Sequence, residues 1–516
     1  MSVASRLVPT SPHVFSGLNI IKTFLYMAYS TVLLFPILSN PVVADDFAAP
    51  FYQLERLEGF GATSALRYGW DSAYGGVNFR ILGMPFGSFM HFLYVDLAGR
   101  FGIRISTSYF ITKLVIYLGV GLTASWVCLE LLRLAGKKLS QWSVLFVAST
   151  VLFASLQNHG MWSNDPTTGY PLAGFGSVIF GVGVLGYSLR TARIGIDAKR
   201  TTVLTILTTI SVLYYELNIG MIMGIAPILM IMALRPTQEI KSSISLKIKK
   251  LFFVSIPCVI PALALVWGRI LSGSSTQSYG GTTIRLGGQA LTTFLNGIIS
   301  TLPGSAWALS KETLGGSIVF GDGVVPIVVL LVSVVTMFLY SESQQKKEEQ
   351  YFDAWLVMAG LASLVFFWSV GVGVQSITSK VQDESPRIGY VYTYYAIGAT
   401  VVAILISLVI LYFGSSLQLK TSTALIALVL TVIASCQLTV NWRLMDKMYA
   451  SLEPNRALLV AFSSQPAIPY RCRALLDWSY GGWPDYYEEG MIGGLQAAYN
   501  HYHHEDFCPY FVRPIP

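Results

Sequence analysis

Apolar runs of about 20 residues, the length of helix that crosses a bilayer, recur along this chain of 516 residues with short polar gaps between them. In hydrocarbon every backbone amide must be satisfied within the protein, so such runs fold as helices. The composition agrees: 53% of the residues are hydrophobic and 12% charged, which excludes an ordinary soluble domain. The expected fold is all-α, a polytopic membrane helical bundle of about eleven spans. They fall at 17–38, 108–132, 142–156, 171–189, 201–216, 219–234, 251–271, 322–340, 353–372, 390–413 and 422–440.

Short cytoplasmic loops are enriched in Lys and Arg. Here those residues gather at Arg133/Lys137/Lys138, Arg190/Arg193/Lys199/Arg200, Arg235/Lys241/Lys247/Lys249/Lys250 and Lys346/Lys347. That bias puts the amino terminus inside and the carboxyl terminus outside a cell membrane, as in a bacterial inner membrane. The run 201–234 would be roughly 50 Å long as one helix and is basic at both flanks, so it is expected to cross twice and turn near Glu216, Leu217 and Asn218. The run 81–98 carries Gly83, Pro85, Gly87, His91 and Asp96. Counting it as a span would invert every later loop, so it reads as an interfacial or re-entrant helix. Residues 1–44 also resemble a secretory signal, with Arg6, Lys22 and a cleavage-like Val42-Val43-Ala44; a retained first helix is the preferred reading. The chain thus divides into a membrane domain, 1–440, with a first outer loop at 39–107, and a small extracytoplasmic segment, 441–516. That segment is too short for much of a core unless it packs on the rest.

Chemistry-bearing residues collect in the outer loops. The acidic pair Asp45 and Asp46 stands directly after the first span, and Arg67, Arg80, Arg100 and Arg104 follow in the same loop, against the positive-inside bias. A planar guanidinium is a preferred phosphate partner, although snorkelling or local pairing explains any single one. Later outer segments add His159, Asn164 and Asp165, then Glu216, Arg285, Lys380 and Arg387. Glu216 is either a functional intramembrane acid or a cap on the hairpin turn. Cys128, Cys258 and Cys436 fall within spans as small buried residues. Cys472 and Cys508 share the outer segment, where a disulfide between them is a hypothesis for an oxidising compartment. The run His501, His503, His504, Glu505 and Asp506 reads as a solvated surface more readily than as a metal site. No nucleotide-binding loop, dinucleotide fingerprint, HExxH, GxSxG or spaced cysteine pair is present, and neither a cofactor nor a nucleic-acid partner is expected.

An acidic pair after span one in Ala44-Asp45-Asp46-Phe47, the aromatic and glycine-rich stretch 67–80, a long first outer loop with an interfacial helix and an outer carboxyl-terminal segment together resemble the C-type (GT-C) glycosyltransferases. These take sugars from polyprenyl-phosphate carriers. The resemblance implies a polyprenyl-phosphate-linked sugar donor, a glycan or glycolipid acceptor, and a catalytic base at Asp45 or Asp46. Arg67, Arg80, Arg285, Lys380 and Arg387 are the candidate donor-phosphate cations, with Asp165 and Glu216 as further substrate-binding candidates. A base opposite a phosphate leaving group needs only a single inverting displacement. An envelope-polysaccharide polymerase or ligase, and a lipid or glycan transporter, are the alternatives.

Overall fold

The computed structural model describes residues 17–57, 59–75, 80–159, 165–167, 169, 171–234, 244–272, 283–306, 332, 352–385, 387–416, 420–479 and 485–511. Over these the chain is helical. The first half holds α1 (Gly17–Leu38), α2 (Ala44–Glu55), α3 (Ala62–Gly75), α4 (Gly83–Phe101), α5 (Ile105–Leu134), α6 (Gln141–Ser155), α7 (Gly174–Ile194), α8 (Ala198–Tyr214), α9 (Ile219–Leu234) and α10 (Ile244–Ser272). The second half holds α11 (Gly288–Ser300), α12 (Ala354–Ser376), α13 (Ser379–Glu384), α14 (Tyr394–Ser416), α15 (Lys420–Ser451), α16 (Glu453–Ser464), α17 (Ile468–Ser479) and α18 (Asp485–His503). Extended pairing among the described residues is confined to one antiparallel bridge, Ile284 to Thr378.

Seven of these helices are long and apolar enough to cross a membrane: α1, α5, α7, α9, α10, α12 and α14. The protein is therefore a multi-pass helical membrane protein by the length and composition of its helices. The expected span 142–156 is the shorter apolar helix α6, and 201–216 is the 17-residue α8. The expected span 422–440 lies inside α15, and 322–340 falls outside the described residues apart from Val332. Helix α4 is not among the seven.

Two hydrophobic cores organise the chain. The first belongs to the bundle and is built by α1, α5, α6, α7, α9, α12 and α14 around side chains such as Leu34, Tyr117, Leu152, Leu185, Phe367 and Ile404. A carboxylate is buried within it: Glu130 accepts from Arg133 Nη1 at 2.9 Å and from Arg193 Nε at 2.8 Å, tying α5 to α7. Both charges on the arginines reach toward solvent while the acid stays 1% exposed. Such a pairing offsets the desolvation that an isolated buried carboxylate would suffer.

The second core joins the ends of the chain. Phe47, Phe51 and Leu54 of α2, Phe92 and Val95 of α4, Phe462 of α16, Trp478 of α17 and Leu495 and Tyr499 of α18 pack together. The carboxyl-terminal segment thus acquires its core from the first long loop. Helices α2 and α18 meet along Gly490, Gly493 and Gly494, and a Cβ at Gly494 would stand 1.8 Å from the Phe51 carbonyl oxygen. Only glycine lets the two backbones approach this closely. The Cys472 and Cys508 sulfurs are bonded, closing α17 onto the segment after α18. Buried Arg471 is held by Tyr499 and by Glu505, the latter at 2.7 Å.

Helix α4 belongs to this second core and lies against the bundle. Tyr502 donates to Asp96 at 2.9 Å, and Gln53 donates to the Ser88 carbonyl at 2.9 Å. It ends at Gly102 in the left-handed region, φ 65°, with its amide on the Ala98 carbonyl. This is a glycine-terminated helix end, and it frees the chain to enter α5 three residues later.

Candidate functional site

The chain leaves α1 at Leu38, passes Pro41 and an extended Val43, and starts α2 at Ala44. Asp45 and Asp46 occupy the first turn of that helix, where the helix dipole favours negative charge. Their side chains lie outside the described residues. What is described is the support behind them, namely Phe47, Ala48 and Phe51, each at most 1% exposed in the second core.

The sequence run that was expected to turn at Glu216 breaks there. Helix α8 stops at Tyr214, Glu216–Asn218 form one turn of 3-10 helix, and α9 begins at Ile219. Asn218 secures the turn by donating to the Ser177 and Ser211 carbonyls at 3.1 and 3.0 Å. The start of α4 is anchored on the same turn, since Leu82 N donates to Leu213 O at 3.0 Å. Arg80 is thereby delivered to Glu216: its Nε lies 3.0 Å from Oε2 and its Nη2 3.4 Å from Oε1. The guanidinium also lies 4.2 Å from the centroid of the Tyr215 ring. Burial pulls this guanidinium down, and the Glu216 carboxylate beside it more than reverses the effect, so Arg80 stays charged. Nη1 makes no hydrogen bond among the described residues.

Further polar groups surround the pair. Tyr215 OH and Thr393 Oγ1 are 2.8 Å apart, and Gln375 donates to Thr393 Oγ1 at 2.6 Å. Tyr392 lies within electrostatic range of Arg80 and 5.9 Å from the Lys380 ammonium. Arg80 and Glu216 thus meet from distant parts of the chain, and Tyr392 stands between them and Lys380.

Beside this cluster runs an apolar groove of about 690 Å³. Its roof is the underside of α4, from Leu82 and Phe86 through Met90 and Leu93 to Leu97. Its floor is Ile111, Val115 and Ile116 of α5, Ile179 and Phe180 of α7, and Ile210 and Tyr214 of α8. The volume is that of an ordinary ligand pocket. One end is marked by Leu82 and Tyr214, close in sequence to Arg80 and Glu216 respectively.

Asp165 has a different setting. Fully buried, it accepts from the His159 amide at 2.9 Å and from the Thr167 amide at 2.9 Å, and its Oδ2 lies 3.0 Å from His159 Nδ1. The neighbouring Gln157 amide donates to Tyr395 OH at 2.9 Å, and Asn158 is bonded to both Asn40 and Asn441. These bonds tie the end of α6 to α14, α15 and the α1–α2 connection. Asp165 therefore serves as the lock of a buried loop, and Asn164 lies outside the described residues.

The other candidates are dispersed. Arg67 is exposed and 3.8 Å from Asp71. Arg285 forms an exposed pair with Asp383 at 2.9 Å, on the segment that bridges to α13. Lys380 lies 3.9 Å from Glu384, and Arg387 is exposed. In the histidine-rich run His501 stacks on Phe60 and Glu505 binds Arg471. No group of three or more His, Cys, Asp or Glu side chains among the described residues is placed to hold a metal ion. The groove, Tyr215, Gln375, Tyr392 and Thr393 had no counterpart in the sequence reading; only the alternation of Leu82, Phe86, Met90, Leu93 and Leu97, at helical spacing, carried a signal. No family model, curated protein or solved structure matches the chain.

Proposed function

We propose that the protein is an integral membrane glycosyltransferase that moves a sugar from a polyprenyl-phosphate carrier to a glycan or lipid-linked acceptor. The observation that carries this reading is the apolar groove beneath α4 with Arg80 and Glu216 near one end. A polyisoprenoid chain needs a long apolar channel open to lipid, and its phosphate needs a fixed cation where the channel meets water. With Nε and Nη2 given to Glu216, the fork of Arg80 keeps Nη1 for a phosphate oxygen.

In this reading the sugar-bearing carbon is attacked by an acceptor hydroxyl, whose proton passes to Asp45 or Asp46. The bond to the phosphate oxygen breaks, and Arg80 and Lys380 stabilise the negative charge that develops there. The donor is already activated, so no nucleotide site is required. The cluster and the second core then face the extracytoplasmic side, with the amino terminus cytoplasmic, and α6, α8, α15 and the region 322–340 complete about eleven spans.

The test is consumption of a labelled polyprenyl-phosphate sugar by the purified full chain in lipid. Transfer to acceptor with inversion at the anomeric carbon is expected. Consumption only of a diphosphate-linked donor would replace this reading with a polymerase or ligase, and translocation without cleavage would replace it with a transporter.

A further inference from the structure

A second cleft lies at the junction of the two cores, apart from the groove beneath α4. It encloses about 310 Å³ between the α1–α2 connection, the first turn of α5, the end of α15 and α16. Two arginines from distant parts of the chain line it, Arg104 and Arg456, together with Asn40, Thr107, Tyr449 and Phe110. No carboxylate is among its described lining residues.

The two cations differ in their commitments. Arg456 gives Nη1 to the exposed Glu453 at 2.6 Å and lies 4.4 Å from the Tyr449 ring centroid. Tyr449 is in turn fixed by donating to the Ser39 carbonyl at 2.7 Å. The Arg104 side chain is exposed and makes no hydrogen bond or ion pair among the described residues. It stands directly before α5, whose first amides add to the positive potential. The membrane-facing wall is aromatic: Phe110 is 6.4 Å from Phe35, which stacks on Trp442 at 5.2 Å. Aromatic side chains in such a band mark headgroup depth in a bilayer.

We propose that this cleft binds a phosphate oxyanion, presented by the headgroup of an anionic phospholipid in the leaflet at this end of the bundle. The phosphate bridges Arg104 of the bundle to Arg456 of the second core, and the acyl chains descend along the Phe35–Phe110 surface. The ligand pins the two cores together. This inference goes beyond the transfer reaction and does not rest on it.

The experiment uses the full chain in nanodiscs of phosphatidylcholine with increasing phosphatidylglycerol. Its readouts are thermal unfolding and the lipid retained in native mass spectra. Phosphatidylglycerol is expected to raise the unfolding midpoint and to be retained. R104Q/R456Q should weaken that response about tenfold, the loss expected when charge-assisted bonds to phosphate are removed. R473Q, on the exposed face of α17, should leave it unchanged. R104Q alone, at an exposed side chain, should weaken it about threefold and serves if the double variant does not fold. A response to phosphatidylglycerol that inorganic phosphate in phosphatidylcholine discs fails to reproduce supports the lipid as the source. If inorganic phosphate reproduces it in an arginine-dependent manner, the lipid assignment falls. An unchanged response to phosphatidylglycerol in the folded R104Q variant overturns the site.

Discussion

Gly494→Ala tests whether the α2–α18 contact positions the acidic pair. The new Cβ would lie 1.8 Å from the Phe51 carbonyl oxygen, a backbone atom that no rotamer change can move. A carbon and a carbonyl oxygen ordinarily approach to about 3.3 Å, so α2 must retreat by about 1.5 Å. Overpacking of this kind costs about 1–3 kcal/mol of stability, and a displacement near 1 Å at a catalytic group costs about 10²-fold in rate. The variant should therefore lose about 10²-fold in sugar transfer although Asp45 and Asp46 themselves are unaltered in sequence, and α2 amides should exchange faster with deuterium. Gly87→Ala is the matched control, because a Cβ there meets nothing within 4 Å; it should be neutral or stabilising by up to about 1 kcal/mol. A Gly494→Ala protein with native exchange in α2 and native transfer would refute the argument that this contact sets the position of the pair.

Asp45→Asn and Asp46→Asn should differ, the base variant losing at least about 10²-fold in transfer with unchanged membrane insertion; full activity in both singles and the double would remove the acidic pair from the mechanism. Arg80→Gln should weaken donor binding by about 2–5 kcal/mol if phosphate meets Nη1 in a water-poor site, as donor titration would reveal, and Glu216→Gln should weaken it less. Cys472→Ser opens a 36-residue loop, for which chain entropy gives about 4 kcal/mol, so local unfolding of α17 by hydrogen exchange should become much easier while α5 and α7 are unaffected. Acidification should loosen the same region. Burial lowers the His503 pKa below its ordinary value, and the hydrogen bond from Arg471 lowers that of Glu505. Both groups bind fewer protons folded than unfolded, so their contributions are complete above the ordinary values and fade as pH falls through the lowered ones, first for the histidine and then for the carboxylate. Protection of α17 and α18 that rises on acidification would reverse this sign.

The helical architecture was legible because apolar runs and basic gaps are local properties. The break at Glu216 was legible for the same reason, through run length and flanking charge. Pairing across the chain was not. Arg80 and Glu216 each drew attention as charges near a membrane boundary, yet nothing in their own segments says that α4 is anchored to the turn beside Tyr214. Asp165 shows the same limit: a carboxylate in a polar loop stood out as a site candidate, but its bonds to the His159 and Thr167 amides could not be read from spacing. The carboxyl-terminal segment, read alone, had too little apolar surface to fold. Its partner faces on α2 and α4 lie hundreds of residues away, and the close-approach role of Gly494 depends on a neighbour that sequence spacing cannot supply.

The second core also has a consequence in time. Tyr502 and Asp96, which meet across it, are separated by 406 positions. At typical synthesis rates the ribosome needs roughly 20–80 s to cover that interval. Throughout it, Phe47, Phe51 and Phe92 await partners that have not been made. Premature termination leaves those faces uncovered, and the acidic pair reaches its final setting only when the last helix docks. Completion of the chain is thereby a condition for the second core to close.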